Sequence, residues 1–166
     1  WKGVVDFAAA TDTMIVTSMA ISPGVRDAAG VWTPGQAKEF LDYTRSVGGD
    51  IAAAEFMNEP TMATMGGAPK GYDAVAFGRD YKLFASFARQ AAPVMRILGP
   101  GSVGETTAPD AMIHYGSQGV IATPDMLRQM GADIEAFSYH HYGAASQRCA
   151  GTQLQTSADA ALSEEW

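Results

Sequence analysis

A chain of 166 residues, 47% hydrophobic and 10% aromatic, can bury one core; it is too short for two large domains and too apolar for disorder. Lys and Arg number 11 against 18 Asp and Glu, a net charge of −7 with no basic stripe, which excludes nucleic acid as a partner. The single cysteine, Cys149, excludes an internal disulfide and a cysteine-based metal site, and no apolar run approaches the ~20 residues of a membrane span.

The pattern along the chain alternates. Trp1 to Ala10 reads as the end of a helix, with Val4, Val5, Phe7 and Ala8 as its apolar residues, and Thr13 to Ile21 as a buried strand. After Ser22-Pro23-Gly24 and a loop, Thr33 is the expected N-cap and Pro34 the first position of a helix carrying Ala37, Phe40, Leu41 and Tyr43. Gly48-Gly49 stops it, and Asp50 to Met57 is the second strand. A helix follows over Tyr72 to Ala92, then a short strand, Arg96 to Pro100, opening "GPGSVGETT". Pro109 to Tyr115 reads as a further helical piece, and Thr123-Pro124 opens a helix through Met130, closed by Gly131. Asp133 to Tyr139 is the fourth strand, and Ser157 begins another helix.

Strands alternating with helices at these separations imply a parallel sheet with right-handed crossovers. No glycine-rich phosphate loop follows any strand, which argues against a doubly wound nucleotide-binding sheet. The unusual polar residues all fall at strand C-termini: Ser18 and Ser22, Asn58 and Glu59, Glu105, His140 and His141. A (β/α)8 TIM barrel puts its chemistry there. Four strands are half of such a barrel, so residues 1–166 read as a partial catalytic domain with two open sheet edges, and self-association of the chain is expected.

Two stretches carry chemistry. In "IAAAEFMNEPT" an apolar strand ends on Asn58-Glu59-Pro60. A glycosidase needs a carboxylic acid to protonate the leaving oxygen, and a neutral Asn beside it can hold a sugar hydroxyl without adding charge. In "AFSYHHYG" two histidines between tyrosines form a wall of hydrogen-bonding rings suited to a sugar. Period-two alternation turns only one of His140 and His141 into a site; the small Ala136 and Ser138 share a face with His140, which makes His140 the site residue and sends Phe137 toward the outer helices. No metal or other cofactor is expected: His114 is isolated and no carboxylate stands at ligand spacing from the paired histidines.

These segments together resemble a clan A glycoside hydrolase, and most closely glycoside hydrolase family 79, the heparanase and β-glucuronidase group. "EFMNEP" is similar to that family's fourth-strand acid/base segment, "ILGPGSVGE" to its fifth-strand end and "FSYHHYG" to its sixth-strand segment, so the chain would span strands three to six. The resemblance implies a retaining β-glycosidase acting on a glucuronide, secreted or periplasmic. It implies Glu59 as general acid/base, Asn58 as partner of the 2-hydroxyl, and His140, His141 and Tyr142 lining the subsite, with Glu105 on the fifth strand also placed toward substrate. The family's nucleophile is a Glu at the end of strand seven, a position that nothing here fills: Glu164 and Glu165 come too early. Another clan A sugar specificity, or a carbohydrate-binding half-barrel without activity, are the alternatives.

Overall fold

A computed structural model describes residues 1–103 and 120–141 of the chain. They form an α/β unit with a four-stranded parallel sheet. In chain order the elements are α1 (Lys2–Thr11), β1 (Val16–Ser18), α2 (Gly35–Ser46), β2 (Ala53–Glu55), α3 (Ala74–Ala91), β3 (Arg96–Val103), α4 (Thr123–Met130) and β4 (Ala136–His140). Spatial order follows chain order, β1-β2-β3-β4, with every pairing parallel. Among the described residues the strand order never reverses, so they contain no switch point of the doubly wound kind. The expected helical pieces over 109–115 and after Ser157 lie outside the described residues.

Alternation along each strand divides the sheet into two faces. On one, Met19, Ala54, Phe56 and Ile97 pack beneath the helices with Leu41, Phe77, Tyr81, Phe84, Met126 and Met130. Phe56 is the hub, meeting Trp32 edge-on at 5.5 Å and Phe84 at 5.5 Å between ring centroids, with Phe77 and Tyr81 beside it. Such aromatic contacts add stability beyond the area they bury. Its neighbour Glu55 points to the other face, and the chemistry described below lies there.

The helices form where their apolar residues recur. In α3, Phe77, Tyr81, Phe84 and Ala88 make one buried stripe, and the Asp73 carboxylate accepts a hydrogen bond from the Ala76 amide as N-cap. Gly78 on the same helix lets α4 approach, because a Cβ there would lie 2.6 Å from the Gln129 side chain. In α2 the sequence reading is corrected at two points. Pro34 is the N-cap and the Thr33 hydroxyl donates instead to the Val25 carbonyl at 3.0 Å, since the loop before the helix folds back on itself. Tyr43 is 48% exposed, while Thr44, one residue on, is buried and receives the Trp1 indole N–H at 2.8 Å. That bond ties α1 to α2.

Strand bounds differ more. β1 and β2 pair over three residues each, shorter than their apolar runs, because regular pairing ends where the chain turns toward the rim. β3 runs three residues past Pro100, carried through by a bulge at Gly101 that lets Ser102 and Val103 pair with Tyr139 and His140.

The loop after β1 is clamped to α3 by a buried ion pair. Arg26 Nη1 donates to Asp80 Oδ2 at 2.6 Å with the two side chains 2% and 0% exposed, and the Tyr72 hydroxyl donates to the same oxygen at 3.0 Å. Burial, then the Asp80 charge, pushes the Tyr72 phenol up; burial, then Asp133, does the same to Tyr81, whose hydroxyl has no hydrogen-bond partner among the described residues. The unfolded chain releases both phenolic protons near pH ~10 while the fold retains them. Stability is therefore fully present below pH ~10 and falls above it, as pH rises toward the raised native values, by about 1.4 kcal/mol per pH unit for each tyrosine. In alkaline urea unfolding, Tyr81→Phe is expected to halve that slope and to cost little at neutral pH; a slope unchanged by the substitution would contradict this account.

Candidate active site

The rim at the C-terminal ends of the strands gathers three ionisable side chains. β2 ends at Glu55, and the chain crosses Phe56, Met57 and Asn58 to Glu59. Glu59 adopts a left-handed backbone, φ 50 and ψ 56, then enters a short 3-10 turn over Pro60–Met62. A non-glycine residue in that region costs on the order of 1–3 kcal/mol, so the surrounding bonds must hold it. They are supplied by Thr61, which is fully buried: its hydroxyl accepts from the Val103 amide at 3.0 Å, and its carbonyl from the Ile121 amide at 3.1 Å. The turn carrying Glu59 is thus bolted to the end of β3 and to the segment before α4. A second buried bond, Thr123 Oγ1 to Ser102 Oγ at 2.6 Å, braces the same corner.

His140, the last residue of β4, completes the cluster. Its Nδ1 is 3.3 Å from Glu59 Oε1, and its Nε2 is 3.1 Å from Glu55 Oε2 and 3.3 Å from Glu55 Oε1. The imidazole therefore stands between two carboxylates. Glu55 is buried at 7% exposure, whereas the side chains of Glu59 and His140 are 25% and 28% exposed. Glu59 faces solvent and Glu55 lies beneath.

β3 separates β2 from β4, so Glu55 and His140 can meet only if β3 leaves a gap. Gly101 provides it. A Cβ at that position would fall 2.6 Å from Glu55 Oε2 and 2.7 Å from its carboxyl carbon, and φ is +70. Absence of a side chain, the left-handed backbone and the bulge all coincide at this one residue.

The other sequence-derived candidates divide. Asn58 is exposed at the rim, one residue before Glu59, open to a ligand. His141 is exposed just beyond the end of β4. Ser18 ends β1 in register with Glu55. Tyr142 and Glu105 lie outside the described residues, as do Cys149 and His114. The rings of Phe137 and Tyr139 stack on each other at 6.5 Å while His140 turns to the carboxylates. Phe137, expected under outer helices, is instead 59% exposed, because β4 is an edge strand among the described residues.

Glu55 is the residue that sequence reasoning missed. It sits inside an apolar run read as a wholly buried strand, yet it shares period-two parity with Glu59 and faces away from Phe56. A carboxylate inside such a run, without a neighbouring cation, was the signal. The donors of the cluster face opposite edges of one imidazole and diverge, and among the described residues no group of three is placed to hold a metal ion. No helix among them is long and apolar enough to cross a membrane.

Comparison with protein-family models and with curated proteins finds no match.

Gly101→Ala tests the gap. Gly131 also has a positive φ, +63, but a Cβ there meets nothing within 4 Å. Gly131→Ala is expected to cost only the backbone term, about 1–3 kcal/mol. Gly101→Ala adds the clash with Glu55 and is expected to cost about 1–3 kcal/mol more than Gly131→Ala in denaturant unfolding. Equal costs at the two positions would show that Glu55 does not need the gap.

Proposed function

We propose that this chain carries the acid/base half of a retaining β-glycoside hydrolase built on a (β/α)8 barrel, with a β-glucuronide as substrate. The observation that carries the reading is Glu59: a part-exposed carboxyl on a strained backbone at the C-terminal rim of a parallel sheet, hydrogen-bonded to a histidine two strands away. Barrel enzymes assemble their sites at that rim from several strands. The unreversed strand order is compatible with a barrel segment, and the glucuronide rests on the resemblance of the three strand-end motifs to glycoside hydrolase family 79.

In this reading Glu59 gives its proton to the glycosidic oxygen as the bond to the anomeric carbon breaks and the aglycone leaves as an alcohol. A second carboxylate takes the sugar as a glycosyl ester. Water then attacks the same carbon and passes its proton to Glu59, so the configuration is retained. Asn58 would hold the 2-hydroxyl. Glu55 is unsuited to the nucleophile's part, because it is buried and its oxygens are turned to His140. The nucleophile is assigned to a residue beyond those described.

A leaving group that departs unaided does not need an acid. In the enzyme that includes this segment and its nucleophile, Glu59→Gln should slow hydrolysis of an alkyl glucuronide by ~10²–10⁴-fold. Cleavage of an activated aryl glucuronide to its enzyme ester should suffer far less, read as the burst of released phenol. Small, equal losses on both substrates would make Glu59 a bystander.

A further inference from the structure

We infer that Met62 and Met65 form the subsite for the leaving group and select an apolar aglycone, aryl or alkyl, over a second sugar; the inference rests on the reading of Glu59 as the acid. A methionine side chain has no hydrogen-bond donor and only a weakly accepting sulfur. Met19, Met57, Met95, Met126 and Met130 put that chemistry to use in the core, where all five are buried. Met65 is instead 75% exposed and Met62 half-buried, and both belong to the turn that leaves Glu59. Met14 is exposed as well, but it precedes β1, at the opposite end of the sheet.

The turn has two sides. Pro60, Thr61, Ala63 and Ala68 are buried, which leaves Met62, Thr64 and Met65 on the more open side with Glu59. Hydrogen bonds stack three of these positions. The Met62 amide donates to the Glu59 carbonyl at 3.0 Å, and the Met65 amide to the Met62 carbonyl at 2.9 Å. Residues three apart in a turn of 3-10 pitch lie one above another, so Met65 stands over Met62 and Met62 over the backbone of Glu59. Two glycines then fold the chain back onto the rim. A Cβ at Gly66 would lie 3.8 Å from the Asn58 carbonyl oxygen, and one at Gly67 would lie 3.6 Å from Ser22 Cβ in the loop after β1.

An acid that protonates the glycosidic oxygen touches the one atom that sugar and aglycone share. His140, on β4, stands against Glu59 Oε1 from one side, while the turn carries its methionines toward the β1 side. The group released at Glu59 therefore has the two thioethers beside it. A second sugar there would set hydroxyls against methyl groups and sulfur, which do not replace the hydrogen bonds lost from water. An aryl or alkyl group gives up no hydrogen bond, and a ring gains the contact of a polarisable sulfur. Flexible thioethers also mould to rings of different shape, so the selection is for apolarity rather than for one aglycone.

The test uses two thioglycosides that resist cleavage, phenyl 1-thio-β-glucuronide and its methyl counterpart. Each is bound to the enzyme that includes this segment, carrying 13C in its methionine methyl groups, with signals assigned by their loss in Met62→Leu and Met65→Leu. The phenyl compound is expected to shift both methyl signals upfield through its ring current, and the methyl compound to leave them in place. It should also bind on the order of tenfold more tightly than the methyl compound. Met65→Gln keeps the length of the side chain and adds an amide; it should remove most of that advantage and leave affinity for the methyl compound unchanged. Met65→Leu should preserve it. A phenyl compound that binds without moving either signal overturns the subsite, as does an advantage that survives Met65→Gln, and both leave the role of Glu59 standing. Failure of both compounds to bind would overturn the glucuronide reading itself, and the subsite with it.

Discussion

The His140 imidazole has a carboxylate at each of its nitrogens, and meeting that requirement constrains every element around it. The ring belongs to β4, while one carboxylate comes from β2 and the other from the turn that follows β2. β3 must lie between them and still leave the path open, which only a residue without a side chain allows. The bulge at Gly101 also sets the register in which Val103 pairs with His140, so the same residue that opens the gap decides where the ring stands. Thr61 then fixes the Glu59 turn to Val103, closing the circuit from β2 through β3 to β4.

The two faces of the sheet divide the labour. Phe56 and Ile97 face the helices and anchor an aromatic core, while Glu55, one residue from Phe56, faces the other way into the ionisable cluster. Strand alternation makes this inexpensive, because adjacent residues need share no environment. The buried Arg26–Asp80 pair performs a separate task, holding the loop after β1 on α3. Removing Asp80 strands the Arg26 charge in the core, a loss of roughly 3–5 kcal/mol. Rigidity of this kind is what a strained residue such as Glu59 depends on, since a left-handed backbone relaxes wherever its surroundings yield.

Much of this organisation was legible in the sequence, and the exceptions have physical causes. The helix over Thr123–Met130 and its glycine stop follow from local signals, an N-terminal proline and a C-terminal glycine, and they appear at the expected residues. The order of strands and helices was equally readable, because apolar periodicity is local. Strand ends were not: they depend on partners far away in the chain, and β3 lengthened through Gly-Pro-Gly because β4 offered Tyr139 and His140 for pairing. Thr33 looked like a cap until the loop brought the Val25 carbonyl to its hydroxyl. The position of His140 on the face opposite Phe137 and Tyr139 follows from parity alone. Glu55 escaped because its meaning lies in two non-local contacts, with His140 and with the space above Gly101, and neither leaves a mark on its neighbours in sequence.

The central claim is that Glu59 supplies the proton in the first half of a glycoside cleavage and removes one from water in the second. Azide addresses it directly, because this anion attacks a glycosyl ester without needing a base. With Glu59→Ala and an activated aryl β-glucuronide, the account predicts slow turnover that azide accelerates at least tenfold, yielding the β-glucuronyl azide. Turnover in Glu59→Ala that is indifferent to azide and forms no glycosyl azide would contradict it.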